Sequence, residues 1–429
     1  MLPTLNYNED QTLFRGGWVF DGVHPPVEGR GVLVQEGRIR AVSSPGEFAG
    51  FSGNTIDTTG CTLMPGLIDC HVHLSLSAEQ DVVGTLVRMC ASEVCLQILE
   101  NAQSALLGGI TSVRDLGGRD WLEMGIRDAF ASGRHLGPLI RCAGKVVCMT
   151  GGHGHWTGIE ADGVDAVMKA VRTNIRAGAD CIKLMATGGV LTPGVDPLAA
   201  HLTLEELQAA VQTAHGLGRK VASHAQGAEG IRNATLAGVD SIEHGFELTD
   251  EVVQLMIDRG VCLVPTLTAT RKLVQNAERL PAYVRAKALR FGDMHQQSFR
   301  RYAAAGGKIA MGTDAGTPFN RHGANAQELA QMVELGLSEL EALRAGTRHA
   351  AELLELNDVG IIREGFRADL LLVNGNPASD IARASDVSNH RLVLKDGKDV
   401  HAWLPRSAHR HSTQQPANLG TVSGLCCLQ

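Results

Sequence analysis

The chain has 429 residues, which is more than one ordinary domain needs but fits one barrel of about 250 residues with an appendage. Hydrophobic residues make up 44% and charged residues 20%, as in ordinary globular proteins, and a net charge of −7 argues against nucleic acid or an anionic membrane as a partner. Because the cysteines are scattered and neither a secretory signal nor a membrane-spanning run is visible, we expect a cytoplasmic protein with reduced thiols.

Short β segments separated by turns occur near both ends of the chain. Near the N-terminus they are GWVFDG, GVLVQEGRIRAVSS and NTIDTTGCTLM, and near the C-terminus they are RADLLLVNG and HRLVLKDGKDVHAW. Segments distant in sequence can pair in one sheet. We therefore predict a small flanking β-sandwich domain that is built from residues 1–62 and 360–404.

Between these ends, strand-like apolar runs alternate with helical patterns. After an opening strand that precedes His71, the runs are GITSVRDL, PLIRCAGK, DCIKLMAT, KVASHAQ, DSIEHGF, VCLVPTL and KIAMGTDAG. The helical pattern TLEELQAAVQTAHGLG starts with a capping box of Thr203 and Glu206, and both it and LTDEVVQLMIDRG stop at glycines. Eight strand–helix units favour a closed barrel, so we predict an α/β fold with a (β/α)8 TIM barrel over residues 63–359.

The polar tail, residues 405–429, has the composition of a disordered segment. Its last four residues, Cys426 to Gln429, fit the C-a-a-X prenylation pattern. No polybasic run precedes them, and such short matches often arise by chance. We therefore expect no lipid anchor.

The opening strand contains an unusual pair of imidazoles in the stretch LMPGLIDCHVHLSL. Side chains two residues apart on a strand face the same way, so His71 and His73 point together near the C-terminal end of the strand, where barrel enzymes place their chemistry. Two histidines satisfied within the core are the alternative interpretation, but each buried imidazole needs a polar partner. A divalent metal would be a partner for both.

Polar residues recur at the C-terminal ends of later strands. They are Lys183, His224, His244 and Asp314. A buried, unpaired Lys183 would be unstable or would lose its proton, unless its ammonium reaches the surface. Each residue alone could be structural, whereas five strand ends with metal-ligand chemistry together predict a metal site.

The candidate metal ligands follow one another in a fixed order along the chain: His71, His73, Lys183, His224, His244 and Asp314. This order resembles that of the amidohydrolase superfamily over nearly the whole chain. Stretches such as GGHGH, IKLMATGGV, SIEHG and MGTDAGTP look like its branch of Xaa-Pro dipeptidases (prolidases), related carboxypeptidases and ochratoxinase. The resemblance implies a homo-oligomer with two divalent metal ions, usually Zn²⁺, bridged by a CO2-derived carbamate on Lys183.

The resemblance also implies how the ligands divide and what they do. His71, His73 and Asp314 would bind one metal, and His224 and His244 the other. The implied reaction is hydrolysis of a C–N (amide or peptide) bond by a hydroxide that bridges the metals. Asp314 would move the proton from the hydroxide to the leaving amine, so Asp314 and Lys183 are catalytic candidates. No G-x-S-x-G motif indicates a serine nucleophile.

The expected substrate is a small molecule with a free carboxylate. N-acyl amino acids and dipeptides fit, among them an X-Pro dipeptide or ochratoxin A, which would give phenylalanine and ochratoxin α. The loop TGGHGHWTG supplies His153 and His155 as catalytic and substrate-binding candidates, with His155 slightly preferred. A histidine loop that only packs is the alternative.

Further candidates for substrate binding border the same pocket. They are Gly188, Gly189, Gln226 and His322. Many prolidases of the branch have tyrosine where this chain has Gln226, so strict prolidase specificity is not expected. Arg114 and Asp115, after the second strand, could read and orient the substrate carboxylate or form a structural ion pair.

Three other interpretations stay open at the level of sequence. A cyclic amide hydrolase resembling hydantoinase or dihydroorotase would also use the carbamate, but the local motifs fit it less well. A deaminase of the superfamily typically has glutamate three residues after the fifth-strand histidine, where this chain has Gly227. An inactive scaffold homologue would tend to lose metal ligands, and all six are retained.

Overall fold

The computed structural model describes residues 11–44, 47–48 and 50–404. The predicted disordered tail and its C-a-a-X match lie outside the described residues. The described part has an α/β fold, with parallel sheets and helices in its centre and mixed sheets built from its ends. Among its helices, none combines the length and the hydropathy that a membrane span requires.

Short strands near the N-terminus come first. They are β1 (Gln11–Arg15), β2 (Trp18–Val19), β3 (Val27–Glu28), β4 (Gly31–Gln35), β5 (Arg38–Ser43), β6 (Asn54–Asp57) and β7 (Cys61–Pro65). Four of them form a sheet in the order β5-β4-β1-β6. The predicted domain boundary at residue 62 falls inside β7.

The central part of the chain alternates strands with helices. Its strands are β8 (Leu67–Val72), β9 (Ile110–Asp115), β10 (Leu139–Cys142), β11 (Val147–Cys148), β12 (Ile159–Glu160), β13 (Cys181–Met185), β14 (Lys220–Ala225), β15 (Ser241–His244) and β16 (Cys262–Val264). Its helices are α1 (Val82–Arg88), α2 (Ala91–Leu107), α3 (Leu122–Ala131), α4 (Val164–Ala177), α5 (Leu204–Gly216), α6 (Ala228–Ala237), α7 (Asp250–Arg259), α8 (Leu267–Gln275), α9 (Ala282–Ala304), α10 (Gln327–Glu334), α11 (Glu339–Ala345) and α12 (Arg348–Leu353), with a 3-10 turn at Ala277–Arg279.

The C-terminal elements return to the N-terminal strands. They are β17 (Leu370–Asn374), α13 (Ala382–Ser385), a 3-10 turn at Val387–Asn389, β18 (His390–Lys395), β19 (Lys398–Asp399) and α14 (Val400–Trp403). They join a six-stranded sheet in the order β19-β18-β17-β7-β2-β3, in which Leu372 of β17 lies opposite Leu63 of β7. Both leucines share one buried cluster with Phe14 and Val32 of the four-stranded sheet. The two ends of the chain therefore pair, as the sequence predicts.

The parallel strands form a three-stranded sheet, β10-β9-β8, and a six-stranded sheet, β12-β11-β13-β14-β15-β16. Every residue of β8, β9, β13 and β15 is buried, as expected for parallel strands that are covered by helices. Because parallel strands end on the same side, residues at the C-terminal ends of β8, β14 and β15 are brought close together.

The last predicted strand, KIAMGTDAG, is not a regular strand. Ile309 makes an isolated parallel bridge to Leu263 of β16, and Ala315 makes one to Val72 of β8. Between these bridges Asp314 has a left-handed φ of 57°, and the Thr313 and Asp314 amides both donate to the His71 carbonyl, at 3.2 and 2.7 Å. The left-handed turn interrupts strand pairing and brings Asp314 beside His71.

The helix boundaries predicted from capping residues are confirmed. Thr203 Oγ1 accepts a hydrogen bond from the Glu206 amide at 3.2 Å, and the Glu206 carboxylate accepts one from the Thr203 amide at 2.8 Å. The predicted capping box therefore begins α5. Gly260, with φ of 67°, ends α7 in the left-handed conformation that glycine adopts readily.

Candidate metal centre

Three of the predicted ligands meet at the end of β8. Asp314 Oδ1 lies 3.5 Å from His71 Nε2 and 3.3 Å from His73 Nε2. One ligand atom from each residue can be chosen so that all three lie within 4.8 Å of one another. Two imidazoles and a carboxylate at this spacing can hold one divalent ion.

Hydrogen bonds fix which nitrogen of each imidazole is free. His71 Nδ1 lies 2.8 Å from Glu243 Oε2, and His73 Nδ1 lies 3.0 Å from the Gly117 carbonyl oxygen. Because both partners accept, each Nδ1 donates, and in the neutral ring the lone pair is then on Nε2. Both lone pairs are directed toward Asp314, as in metal sites whose outer hydrogen bonds orient the ligands.

A second pair of imidazoles follows directly. His224 on β14 and His244 at the end of β15 have ring centroids 4.6 Å apart, and His244 lies 5.1 Å from His71. His224 Nε2 donates to the Gly188 carbonyl at 2.7 Å, and His244 Nδ1 is 2.7 Å from Thr266 Oγ1. These bonds leave His224 Nδ1 and His244 Nε2 as the nitrogens for a second ion.

Lys183 provides the test of whether the site fits a bound group. Its side chain is 1% exposed at the same cavity, and its Nζ has no hydrogen-bond partner among the described residues. Burial lowers the pKa of Lys183 to about 8, so the neutral amine is accessible near neutral pH. A buried amine without a partner is unfavourable unless it bonds to something that the chain does not supply. The donor set therefore fits divalent ions and a group that links Lys183 to them.

Three of the four ligand imidazoles are in the protonation state that metal binding requires, whereas the pKa of His73 is raised because its hydrogen bond to Asp314 and the charge of Asp314 outweigh burial. Burial first, and then the neighbouring charges of Lys183 and other imidazoles, holds the pKa of His71, His224 and His244 well below the usual range. These rings are therefore neutral at physiological pH, and a metal does not have to displace a proton from them.

A buried carboxylate on β8 holds Asp314 in its left-handed conformation. Asp69 Oδ2 accepts from Thr313 Oγ1 at 2.6 Å and from Asn325 Nδ2 at 2.8 Å, while Oδ1 accepts from the Thr313 amide at 3.1 Å. Strained backbone of this kind persists only where the surroundings fix it. Sequence analysis missed Asp69, although it lies two residues before His71 and therefore on the same strand face.

A second buried network lies behind His71. Glu243 Oε1 accepts from Arg114 Nη2 at 2.9 Å and from Ser241 Oγ at 2.6 Å, while Glu243 Oε2 bonds to His71. Arg114 Nε also donates to the Cys70 carbonyl at 2.7 Å, and the guanidinium does not line the metal cavity. Of the two roles considered for Arg114, the structure therefore supports the structural ion pair. Glu243 was missed because nothing in its local sequence identifies its partners.

The two loop histidines are separated. His153 lines the metal cavity, with its ring centroid 4.6 Å from that of His224 and its Nδ1 2.7 Å from Thr192 Oγ1. Burial, followed by the charge of Lys183, lowers the pKa of His153 to about 3. His155 is exposed and lines an adjoining surface cavity. The geometry therefore favours His153 as the substrate ligand, although the sequence slightly favours His155.

Gln226 is the pocket candidate whose side chain faces the cavity. It is 4% exposed, and its Oε1 has no hydrogen-bond partner among the described residues. Gly188 and Gly189 do not line the cavity themselves but contact histidines that do: the Gly188 carbonyl accepts from His224, and an added Cβ at Gly189 would collide with the His153 ring. His322 Nε2 is 3.2 Å from the carbonyl oxygen of His73 and so supports a candidate ligand.

Most of the remaining cavity wall is apolar. The apolar side chains are Leu76, Leu116, Val146, Trp156, Met185, Val190, Leu191, Phe246, Ala269 and Leu273. Among the described residues that line the cavity, Lys183 is the one lysine and no arginine occurs. An apolar or aromatic group on the substrate is compatible with this wall.

Two buried carboxyl groups, those of Asp115 and Glu123, lie behind the His73 side of the site. Asp115 accepts from the Leu74 and Gly117 amides at 2.8 and 3.0 Å and so fixes the loop that bonds to His73. Glu123 on α3 is fully buried with no hydrogen-bond partner among the described residues. Burial, and then the charge of Asp115, raises the pKa of Glu123 to about 8.

Replacing Glu123 with glutamine is expected to stabilise the protein increasingly as the pH rises. The folded-state pKa of about 8 exceeds the ordinary value of 4.5, so wild-type stability falls as the pH rises from about 4.5 to about 8. Glutamine does not ionise, and the difference in unfolding free energy should grow by at most about 1.4 kcal/mol per pH unit. Urea unfolding at pH 5.5 and 8.5 measures the difference in unfolding free energy between Glu123→Gln and wild type, with Glu229→Gln on the exposed face of α6 as the control. Equal differences at the two pH values would contradict the prediction.

The fold and the site together define a class of protein. An α/β chain that collects the four predicted ligand imidazoles, a carboxylate and a buried amine at one cavity has the donor set of a metal-dependent hydrolase. The sequence profile of the Amidohydrolase family matches residues 62–400, and the chain belongs to this family. It is a hydrolase that acts on C–N bonds, and its superfamily generally uses divalent metal ions.

Three of the similar proteins belong to the prolidase and ochratoxinase branch of the family. Ochratoxinase of Aspergillus niger is 30% identical, covering 90% of this chain and 86% of its own. A Xaa-Pro dipeptidase structure with methionine bound in its active site has a TM-score of 0.84 and 34% identity, over 91% of this chain and 99% of that chain. A prolidase complexed with N-methylphosphonate-L-proline has a TM-score of 0.83 and 32% identity, over the same shares. The predicted prolidase and ochratoxinase branch is confirmed.

Proposed function

We propose that the protein cleaves the amide bond of an N-acyl amino acid or dipeptide that carries a free C-terminal carboxylate. The observation that carries this proposal is the single cavity at which His71, His73 and Asp314 meet His224, His244 and the unpartnered Lys183. Names of similar proteins support the same substrate class. They include a dipeptidase, a prolidase with a proline phosphonate bound, and an ochratoxinase.

The proposed cofactors are two divalent ions, taken to be Zn²⁺. His71, His73 and Asp314 would hold one ion, and His224 and His244 the other. Lys183 would add CO2 through its neutral amine and lose a proton, giving a carbamate with an oxygen for each ion. The burial of Lys183 and its pKa of about 8 support this step, because only the neutral amine is nucleophilic.

The protein residues divide the work of the reaction. When bound, the ions would lower the pKa of a water molecule and polarise the scissile carbonyl. Asp314 is placed to accept the proton of the attacking water and to return it to the leaving amine. His153 is neutral, and in the tautomer whose Nδ1 accepts from the Thr192 hydroxyl its Nε2–H would donate to the substrate carboxylate or oxyanion. Gln226 Oε1 would accept a hydrogen bond from the substrate N–H.

The finer architecture is part of the same proposal. We infer a closed (β/α)8 barrel over residues 63–359 and a flanking β-sandwich from residues 1–62 and 360–404. Hydrogen bonds support closure on both sides of the three-stranded sheet. The Asp180 amide donates to the Cys142 carbonyl at 2.8 Å, and the Cys70 amide donates to the Met311 carbonyl at 2.8 Å. A homo-oligomer in the cytoplasm is proposed from the resemblance to the branch.

The first experiment measures the release of amino acid from N-acyl amino acids, X-Pro dipeptides and ochratoxin A, with and without a strong chelator. We expect release to require metal, to stop in chelator and to return when Zn²⁺ is added, because the proposed site has no protein nucleophile. Mass spectrometry of the products identifies the bond that is cleaved. If metal is bound but no compound is hydrolysed, the proposal is wrong, and cyclic amides such as hydantoins are tested next.

A further inference from the structure

A second cavity adjoins the metal cavity and has a different wall. We call it the outer cavity, and the metal cavity the inner cavity. The outer cavity has a volume of about 500 Å³, and apolar side chains from five segments line it. They include Val82, Val83, Pro193, Leu280, Val284 and Pro318.

A thin partition separates the two cavities. Trp156 and Leu191 line both of them. The Trp156 ring lies between two imidazoles, with centroids 5.6 Å from His153 on the inner side and 5.3 Å from His155 on the outer side. Thr317 faces the inner cavity and the next residue, Pro318, faces the outer one. The two cavities are therefore neighbouring compartments of one cleft.

The inner cavity is too small for both halves of an amide substrate. Its volume is about 90 Å³, against about 500 Å³ for the outer cavity. Sites that enclose small organic ligands usually measure about 300–1,000 Å³, a range that the outer cavity meets. A substrate whose amide lies at the metal centre must therefore extend one of its halves past the partition.

Charge decides which half lies outside. Asp81 lines the outer cavity, and no lysine or arginine does so among the described residues. Asp81 is paired with Arg88 at 3.6 Å and Lys287 Nζ is bonded to backbone carbonyls, so the wall that faces a ligand is mainly apolar and suits an uncharged group. His153 and Gln226 instead offer the inner cavity polar groups. The carboxylate end of the substrate therefore suits the inner cavity, and the uncharged acyl half suits the outer cavity.

The rim of the outer cavity is held in place by α9. The hydroxyl of Tyr283 donates to the Leu191 carbonyl at 3.2 Å, and Lys287 Nζ donates to the Thr192 carbonyl at 2.6 Å. Tyr283 is 38% exposed and presents its ring to the cavity. A preformed apolar wall of this kind binds an apolar group without first having to be ordered.

We propose that the outer cavity is the acyl subsite, and that it selects an uncharged apolar or aromatic acyl group joined to the amino acid whose carboxylate end lies in the inner cavity. This inference rests on the proposed function, since it names the acyl half of that substrate. Tyr283, Leu191 and Trp156 are the specificity-determining residues. The preferred substrate class is thus an N-aroyl or long-chain N-acyl amino acid.

The test compares N-(2-naphthoyl)-L-phenylalanine with N-acetyl- and N-succinyl-L-phenylalanine on the zinc-loaded enzyme. Each buried CH2 stabilises binding about fourfold, so kcat/KM for the naphthoyl compound should exceed that for the acetyl compound by at least about tenfold. The anionic succinyl compound should be the poorest substrate. Tyr283→Ala should lower the ratio of kcat/KM for the naphthoyl compound to kcat/KM for the acetyl compound by about fivefold, whereas Tyr283→Phe should leave this ratio unchanged. Leu289→Ala, at an exposed leucine of α9 that does not line the cavity, is the matched control.

Calorimetric binding of N-(2-naphthoyl)-D-phenylalanine separates this proposal from the proposed function. Weaker binding to Tyr283→Ala than to wild type and Leu289→Ala supports the subsite, whether or not any L-compound is hydrolysed. Hydrolysis of the acetyl compound with a naphthoyl-to-acetyl ratio near one would overturn the subsite and leave the proposed function standing. The acyl subsite would also be overturned if Tyr283→Ala and wild type bound N-(2-naphthoyl)-D-phenylalanine with equal affinity.

Discussion

Replacing Lys183 with alanine is expected to lower kcat by at least about a thousandfold and to reduce the metal content of the protein. The loss corresponds to about 4 kcal/mol of transition-state stabilisation, which is the scale of removing a metal's charge from a hydrolytic site. Lys183 has no other role in view, because its Nζ has no hydrogen-bond partner among the described residues. Metal content by elemental analysis and kcat on the best substrate of the panel are the two measurements.

Matched variants separate loss of the proposed carbamate from loss of the fold. Alanine leaves space in which a short carboxylate such as propionate can supply the two oxygens, so propionate should restore part of the activity of Lys183→Ala. Methionine fills that space without a carboxylate, and Lys183→Met should not respond. Lys169→Ala, at an exposed lysine of α4, should behave as wild type. Full metal content and activity in Lys183→Ala would show that Lys183 does not link the ions.

Strand periodicity was enough to predict from the sequence that the imidazoles lie close together. His71 and His73 share a strand face, and parallel strands end on one side, so His224 and His244 had to lie near them. Asp314 was also predicted to lie beside these imidazoles, at the end of a regular strand, but the structure brings it there in a different way. Its segment is not a regular strand, and the hydrogen bonds of Thr313 and Asp314 to the His71 carbonyl bring it there.

The supporting contacts were beyond sequence reasoning because they join residues that are far apart in the chain. Arg114 and Glu243 are 129 positions apart, and Asp69 and Asn325 are 256 apart. No local pattern shows that Arg114 points behind the strand instead of into the pocket. The same limit applies to the loop TGGHGHWTG, where spacing alone could not tell that His153 faces inward and His155 outward.

The Glu243 network makes a second prediction of large effect. Replacing Glu243 with glutamine should lower the free energy of unfolding by about 3–5 kcal/mol and weaken metal binding by about 10- to 100-fold. The carboxylate accepts from Arg114 with one oxygen and from His71 with the other, and both side chains are at most 1% exposed. An amide has one oxygen, so its NH2 must face either a buried guanidinium or the Nδ1–H of His71. Urea unfolding measures the first loss and titration with a chromophoric chelator the second.

Two further variants test whether both losses arise because the amide has one acceptor oxygen for two donors, Arg114 and His71. Glu251→Gln breaks an exposed ion pair with Arg232 by the same chemical change and should alter stability by no more than about 0.5 kcal/mol. Adding Arg114→Met to Glu243→Gln removes the buried charge and frees the amide oxygen to accept from His71. Since replacing both partners of a buried pair is often nearly neutral, the double variant should regain stability and metal affinity together. If stability returns while metal affinity stays low, the amide oxygen does not replace the carboxylate at His71, and the negative charge of Glu243 is itself needed to hold the ligand.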